Sequence, residues 1–259
     1  LRELVDRFYD LMELEPEFAV NHAMHPSPND SSREKLFMFL SGWTGGPDLF
    51  VDQHFLARGR LGRMLPLMRA HGMTLGVGVE EDSAAILHGD VIEVLGSGGA
   101  LLVDLVDAAM DAKLGAFNLS NARLTYMGHG DRYDRRTRTL TPARARLDGQ
   151  VIVPDAADFK PYHADAPFTL DVLAAGVVLE RMIRIVDGRA TESRGLAFDA
   201  SPDAAAPRDL GFEFRFSRRT DTLGWYDPVA SADAYTLANV RLDVVPVRVA
   251  QPLFGPWNR

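Results

Sequence analysis

The 259-residue chain has no cysteine. That excludes disulfides, thiolate metal sites and a cysteine nucleophile, and it assigns no compartment. No run of eighteen apolar residues occurs, so no membrane span is expected. The opening LRELVDRFYD is charged throughout and lacks the apolar stretch of a signal peptide. No methionine starts it, and the natural start is expected to lie elsewhere; localisation stays unassigned. Cationic residues are in the minority, 28 Lys and Arg against 36 Asp and Glu, for a net charge of −8. A negative overall field disfavours non-specific nucleic-acid binding, while a local basic site remains compatible with it. Tandem repeats and coiled-coil heptads are also missing. What the chain does have is 46% hydrophobic residues, enough to bury a sizeable core in one large domain or two small ones.

The stretch VDQHFLARGRLGRMLPLMRAHGMTLGVGVEEDS, residues 51–83, organises the rest. A strand-like segment ends at His54. A helix over Arg58 to Ala70 follows, with Leu61, Met64, Leu65 and Met68 on one face. The strand TLGVGVEE comes next, its glycines permitting close backbone approach and Glu80, Glu81 and Asp82 at its end. A right-handed crossover brings both strand ends to one edge of a parallel sheet, where open α/β folds place ligands. An imidazole beside a carboxylate is two-thirds of a Ser-His-acid triad. The plainer alternative is a strand-end histidine and acids that merely close a strand. Arg58, Arg60, Arg63 and Arg69 form either a solvated cationic face or an electropositive rim for an acidic polymer. Asp52 could pair with a substrate guanidinium by the same chemistry in reverse.

Further on, SAAILHGDVIEVLGSGGALLVDL predicts a hairpin or meander. GSGG lacks a following Lys-Ser/Thr and is read as a tight turn, not a phosphate cradle. A short helix is expected within 104–114, and a strand at ARLTYMG. His129 and Asp131, in HGDRYDRRTR, are left without a role. Residues 140–168 read as a long surface connection, and Thr169 as the cap of a helix running to Gly188. GFEFRFSRR and ANVRLDVVPVRVAQP alternate with period two and predict strands, with Phe212, Phe214 and Phe216 facing the core.

VDQHF, RGRLGR and GVGVEEDSA, continued by HGDVIEVLGSGG and YMGHGDRYD, closely resemble cyanophycinases over roughly residues 51–259. These are serine peptidases of the dipeptidase E-like group, which release β-linked aspartyl-arginine dipeptides from cyanophycin, a poly-aspartate carrying arginine side groups. The resemblance implies that His54 is the general base and Glu81 the triad acid. It implies that Asp52, Gln53, Arg58, Arg60 and Arg63 line the substrate pocket, and that no cofactor or metal takes part. A homodimer is compatible with it; nucleic acid and membrane are not expected as partners. The family's nucleophilic serine lies upstream of the histidine in a GTSAGA-like turn, and the 259 residues contain no such turn. Ser41, in LSGWTGG, sits at a predicted helix end too close to His54 to match.

RFYDLM, HAMHP and REKLFMFLSGWTGGP, near the start, resemble instead group II truncated haemoglobins. That resemblance places Tyr9 in a distal haem pocket and His25 at a haem-packing position, and it stops near Phe50. The proximal-histidine segment is not found, and neither His54 nor His71 sits in its motif, so no stable haem complex is expected. Read by themselves, Tyr9 and His25 fit amphipathic packing and a turn. The expected architecture is therefore a short helical globin-like fragment over 1–50. An α/β domain over 51–259 follows, a partial class-I-glutaminase-like, peptidase E-like sheet with extra β-structure towards the C-terminus. The expected function is a cyanophycinase-like hydrolase with a Ser-His-Glu mechanism whose serine is missing. The alternatives are a haem or oxygen binder, an inactive polymer-binding module and a chimeric join.

Overall fold

A computed structural model describes residues 49–199, 207, 209–229 and 235–250. The helical globin-like fragment expected over 1–50, with Tyr9, His25 and Ser41, lies outside the described residues up to residue 48. The chain parts into two units, Leu1–Val51 and Asp52–Arg259. In chain order the described elements begin with β1 (Phe50–Gln53), α1 (Leu61–Ala70), β2 (Leu75–Val79), β3 (Ser83–His88), β4 (Val91–Gly96) and β5 (Ala100–Asp104). Then come β6 (Leu119–Met127), β7 (Arg132–Asp134), β8 (Thr139–Thr141), α2 (Arg144–Asp148) and β9 (Gln150–Ile152). The last are α3 (Val177–Val186), β10 (Glu192–Phe198), β11 (Leu210–Ser217), β12 (Leu223–Tyr226) and β13 (Tyr235–Arg248).

Strand dominates. One nine-stranded sheet runs β1-β2-β5-β6-β13-β11-β10, with β12 bonded to β13 and β9 to β12. A second sheet holds β3-β4-β7-β8. The residues that follow β1 and β2, His54 and Glu81, meet side chain to side chain, so these two strands leave the sheet at one edge and run the same way. From β2 onward the pairings between these strands are antiparallel, and isolated parallel bridges join Thr169 to Gly195 of β10 and His163 to Gly188. The sheet is mixed and α/β-like, with a crossover at β1–α1–β2.

That crossover is held by shape. Leu61, Met64, Leu65 and Met68 of α1 are fully buried, each contributing about 1.5–3 kcal/mol of transfer free energy. Pro66 sits inside the helix and has no N–H to donate, so burial more than hydrogen bonding keeps α1 in place. The two glycines of β2 make room for side chains, not for backbone. A Cβ on Gly76 would stand 2.7 Å from the Met68 sulfur, and one on Gly78 would stand 2.1 Å from the Phe55 ring.

At the other end of the sheet, β13 is flanked by β6 and β11 and alternates buried and half-buried residues along most of its length. Its register against β6 shifts twice, and Asn239 and Asn121, both at positive φ, stand at the two shifts. Phe214 and Phe216 are buried and Phe212 is half-buried on the same face of β11. The buried residues of α3, Val178, Arg181, Met182, Ile185 and Val186, follow the spacing of one helical face, packed against β10, β11 and β13.

Several expected boundaries move. The helix expected from Thr169 begins at Val177, with Gly176 preceding it in a left-handed conformation. Thr169 to Val172 instead lie beside β10: Leu196 N–H donates to Thr169 O at 2.9 Å, and Val172 N–H to Leu196 O at 3.0 Å. The expected helix within 104–114 reduces to a 3-10 turn at Ala112–Leu114, capped by Asp111. The 140–168 connection contains β8's last residues, α2 and β9.

Candidate functional site

The site is built at the edge where β1 and β2 end. His54 follows β1 with φ of 48°, an uncommon left-handed conformation for a residue with a side chain, and one that recurs at functional turns. The Phe55 ring then turns inward over Gly78 and is fully buried. Phe55 N–H reaches Val79 O at 3.3 Å. The chain closes into a 3-10 turn at Leu56–Arg58, ending at left-handed Gly59.

Glu80 fixes this turn. Its carboxylate accepts from Leu56 N–H at 2.6 Å and from Ala57 N–H at 3.3 Å. Burial pushes its pKa above the ordinary value, against the opposing pull of those two N–H groups. Glu81, the next residue, points outward. His54 Nδ1 stands 3.1 Å from Glu81 Oε1, with the histidine side chain 39% and the glutamate 56% exposed. With the proton on Nδ1, the Nε2 lone pair is the basic face of the ring. The predicted base and acid are therefore brought together. Among the described residues no serine hydroxyl is bonded to His54.

The acid turn is itself seated on GSGG. Ser83 Oγ accepts from Gly98 N–H and Gly99 N–H, both at 2.8 Å. Glu80 N–H donates to Gly99 O at 3.1 Å, and Ser97 N–H to Asp82 O at 3.0 Å. A Cβ on Gly98 would lie 2.4 Å from Glu81 O, so only glycine allows this approach. Tyr126 OH donates to Gly98 O at 2.6 Å. GSGG is thus a turn, and its N–H groups at Gly98 and Gly99 are committed to the chain's own serine. A shallow depression of about 330 Å3 opens there, walled by Leu56, Ala57, Glu80, Glu81, Gly98 and Tyr126 and by Gly176 and Leu179 at the start of α3.

The expected substrate pocket is rearranged. Asp52 is buried, and its carboxylate does not stand open to a substrate guanidinium. Arg63 grips it with both ends of its fork, Nε to Oδ2 at 2.9 Å and Nη2 to Oδ1 at 2.6 Å. Arg60 Nη1 adds a bond to Oδ1 at 3.1 Å and one to Gln53 O at 2.6 Å. Hydrogen bonding to Asp52 raises the Arg63 pKa above its ordinary value. Arg58 and Gln53 are exposed beside the turn, and Arg58 makes no ion pair among the described residues. Among those residues no cluster of three His, Asp or Glu side chains could hold a metal ion, and no helix is long and apolar enough to cross a membrane.

Part of this chain is similar to cyanophycinases. The cyanophycinase of Geminocystis herdmanii is 40% identical over 97 residues, covering 35% of this chain and 36% of the relative. That of Trichormus variabilis is 36% identical over 107 residues, covering 39% and 36%. That of Synechococcus elongatus is 35% identical over 118 residues, covering 42% and 36%. The chain thus spans little more than a third of the length of these relatives. The bacterial-like globin family model matches residues 1–88. It reaches well past Phe50, the end expected from the motifs. Residues 50–88 of that match fold here as β1, α1, β2 and β3, whereas globins are built of helices.

Sequence reasoning missed the work of Glu80, Ser83 and Tyr126. Glu80 stood visibly beside Glu81, but nothing in EED distinguishes the acid that clamps a turn from the acid that faces a histidine. Only the 24-residue reach to Leu56 separates them.

Proposed function

We propose that the unit from Asp52 onward carries the base-and-acid half of a cyanophycinase-type hydrolase site and engages an arginine-aspartate polymer. The His54–Glu81 pair at a shared strand edge is the observation that carries this reading. The β1–α1–β2 crossover is then the retained piece of a peptidase E-like sheet, and residues 1–50 a globin-like appendage. In the full reaction a serine hydroxyl attacks the peptide carbonyl and gives its proton to His54 Nε2. Glu81 holds the imidazole while it carries positive charge. Asp52, being filled, acts by setting the pose of Arg60 and Arg63, whose outer edges meet substrate carboxylates together with Arg58 and Gln53. No GTSAGA-like serine turn occurs in the 259 residues, so this chain by itself is expected to bind polymer and to release little dipeptide.

The test is co-sedimentation of the purified chain with insoluble cyanophycin, alongside an assay for released aspartyl-arginine. Co-sedimentation weakened several-fold in a double Arg58→Ala, Arg63→Ala variant is the expected result. Failure to co-sediment contradicts the polymer reading. Robust turnover lost in His54→Ala would show that an attacking group is present after all; its loss in Ser41→Ala would name that group.

The globin match favours a second reading, a haem or oxygen binder. No proximal-ligand motif follows Phe50, and half a globin does not enclose a haem. Haem titration is expected to give no stoichiometric Soret band; a band abolished by His25→Ala would establish the second reading.

A further inference from the structure

A second, deeper cleft adjoins the His54–Glu81 edge. Its volume is about 750 Å3, and it shares Gly176 and Leu179 with the depression at Glu81. One wall is α3. The other is the segment around Tyr162, tied down by Tyr162 N–H and His163 N–H donating to Asp187 O at 3.0 and 2.9 Å. Arg189 N–H returns a bond to His163 O at 3.0 Å. Underneath, Tyr235 OH donates to the buried Asp187 carboxylate at 2.9 Å. The cleft is therefore held by backbone bonds and a buried anchor.

Its chemistry is two-sided. Tyr162 is 80% exposed, with the His163 ring edge-on at 4.9 Å. Tyr226 and Tyr235 present a second aromatic pair, 4.8 Å apart. Flat aromatic faces attract a guanidinium. The cations are Lys160 and Arg184. Both acids beside them are committed: Glu180 accepts from Arg184 Nε at 2.8 Å and Arg181 Nη2 at 3.2 Å, and Asp187 is bonded to Tyr235. Arg184 Nη1 donates to Asp165 O at 3.0 Å, which leaves Nη2 without a hydrogen-bond partner among the described residues. Lys160 and that Nη2 are disposed to take a carboxylate.

We propose that this cleft is a second subsite that binds an arginyl side group by both its ends, guanidinium on the tyrosine faces and carboxylate on Lys160 and Arg184. The proposal rests on the polymer reading above for the source of the ligand. An arginine joined to the β-carboxyl of an aspartate through its α-amino group keeps both its guanidinium and its carboxylate. The shared wall at Gly176 and Leu179 puts one unit of the polymer in the cleft while its neighbour lies at His54.

Nα-acetylarginine is the direct probe, because it carries both groups and no aspartyl backbone. Titrated into the full chain and followed by NMR, it is expected to shift the ring signals of Tyr162 and His163 saturably. Acetylagmatine, without the carboxylate, and acetylnorleucine, without the guanidinium, are expected to bind more weakly. Tyr162→Ala and Lys160→Ala change exposed side chains and leave the fold intact; each is expected to weaken acetylarginine roughly five- to ten-fold. No saturable shift, or a shift unaltered in both variants, overturns the subsite. A second titration with a two-unit aspartyl-arginine oligomer separates the two readings. Shifts at Tyr162 and His163 without any at His54 and Glu81 leave the cleft standing and remove the polymer site at the sheet edge. Shifts confined to His54 and Glu81 do the reverse.

Discussion

Two acidic turns in this molecule use similar residues to opposite ends. At the β2 edge, Glu81 reaches out to a histidine, and both side chains meet solvent. At the junction of β6, α2 and β13, Asp131 is fully buried. It accepts from Gly128 N–H and Ala143 N–H, both at 2.7 Å, and from the Thr236 hydroxyl. Thr236 in turn accepts from Arg146 Nε at 3.0 Å. The junction ties together three segments far apart in sequence and shows no open face. An acid whose oxygens are all satisfied inside contributes structure; one that holds an exposed imidazole and nothing else is available for chemistry. HGDRYD and EEDS look alike in sequence, and burial is what separates them.

The largest effect should come from breaking the buried turn. Asp131→Ala leaves Gly128 N–H, Ala143 N–H and the Thr236 hydroxyl without their acceptor in a water-poor site, and urea unfolding should show a loss of about 3–5 kcal/mol. The milder Asp131→Asn reports on pH. Burial raises the Asp131 pKa above the ordinary 3.8, so the folded state binds this proton more tightly than the unfolded one. Its contribution is then fully present below the ordinary value and is lost as pH rises through the raised one. Across that window wild-type stability should fall with pH relative to Asp131→Asn. Parallel slopes would mean that the two states bind the proton equally.

Next in size is Gly78→Ala. The added methyl meets the Phe55 ring, and overpacking there should cost about 1–3 kcal/mol while displacing the neighbouring His54. Unchanged stability would show that Phe55 moves aside freely. Glu80→Ala should cost about 1–2 kcal/mol, because Leu56 N–H and Ala57 N–H lose their acceptor. Amide hydrogen exchange should then speed up at those two positions and remain slow in β13. Glu81→Gln is the smallest structural change, below about 0.5 kcal/mol, since an exposed pair adds little stability. If Glu81→Gln proved as destabilising as Glu80→Ala, the division between clamp and orienting acid would collapse.

Much of this edge was legible before any coordinates. The face of α1, the β2 strand, the β3–β4 hairpin and the approach of His54 to the acids after β2 follow from periodicity and from the handedness of a crossover, whereas the choice of Glu81 among those acids came only from the resemblance to cyanophycinases. What stayed hidden depended on distant partners. Asp52 looked free because nothing in DQHF shows that Arg60 and Arg63 fold back onto it. TLDV looked helical because its apolar content does not reveal β10 alongside, and β10 itself is too weakly alternating to announce a strand. The junction at Asp131 joins residues 105 apart to Thr236, a separation no local pattern encodes. Asn239 looked like an ordinary strand residue and Asn121 lay just before the expected ARLTYMG strand; their left-handed backbone appears only where β6 and β13 lose register.

The central claim is that His54 and Glu81 act as a base and its orienting acid towards an arginine-aspartate ligand. Nitrogen-15 NMR of the imidazole tests it most directly, with aspartyl-arginine dipeptide titrated into wild type and Glu81→Gln. The account predicts a His54 tautomer with its proton on Nδ1, mixed once Glu81 is replaced, and a saturable dipeptide-dependent shift of the His54 ring nitrogens in the wild type. A His54 ring with mixed tautomers in the wild type, untouched by dipeptide, would contradict it.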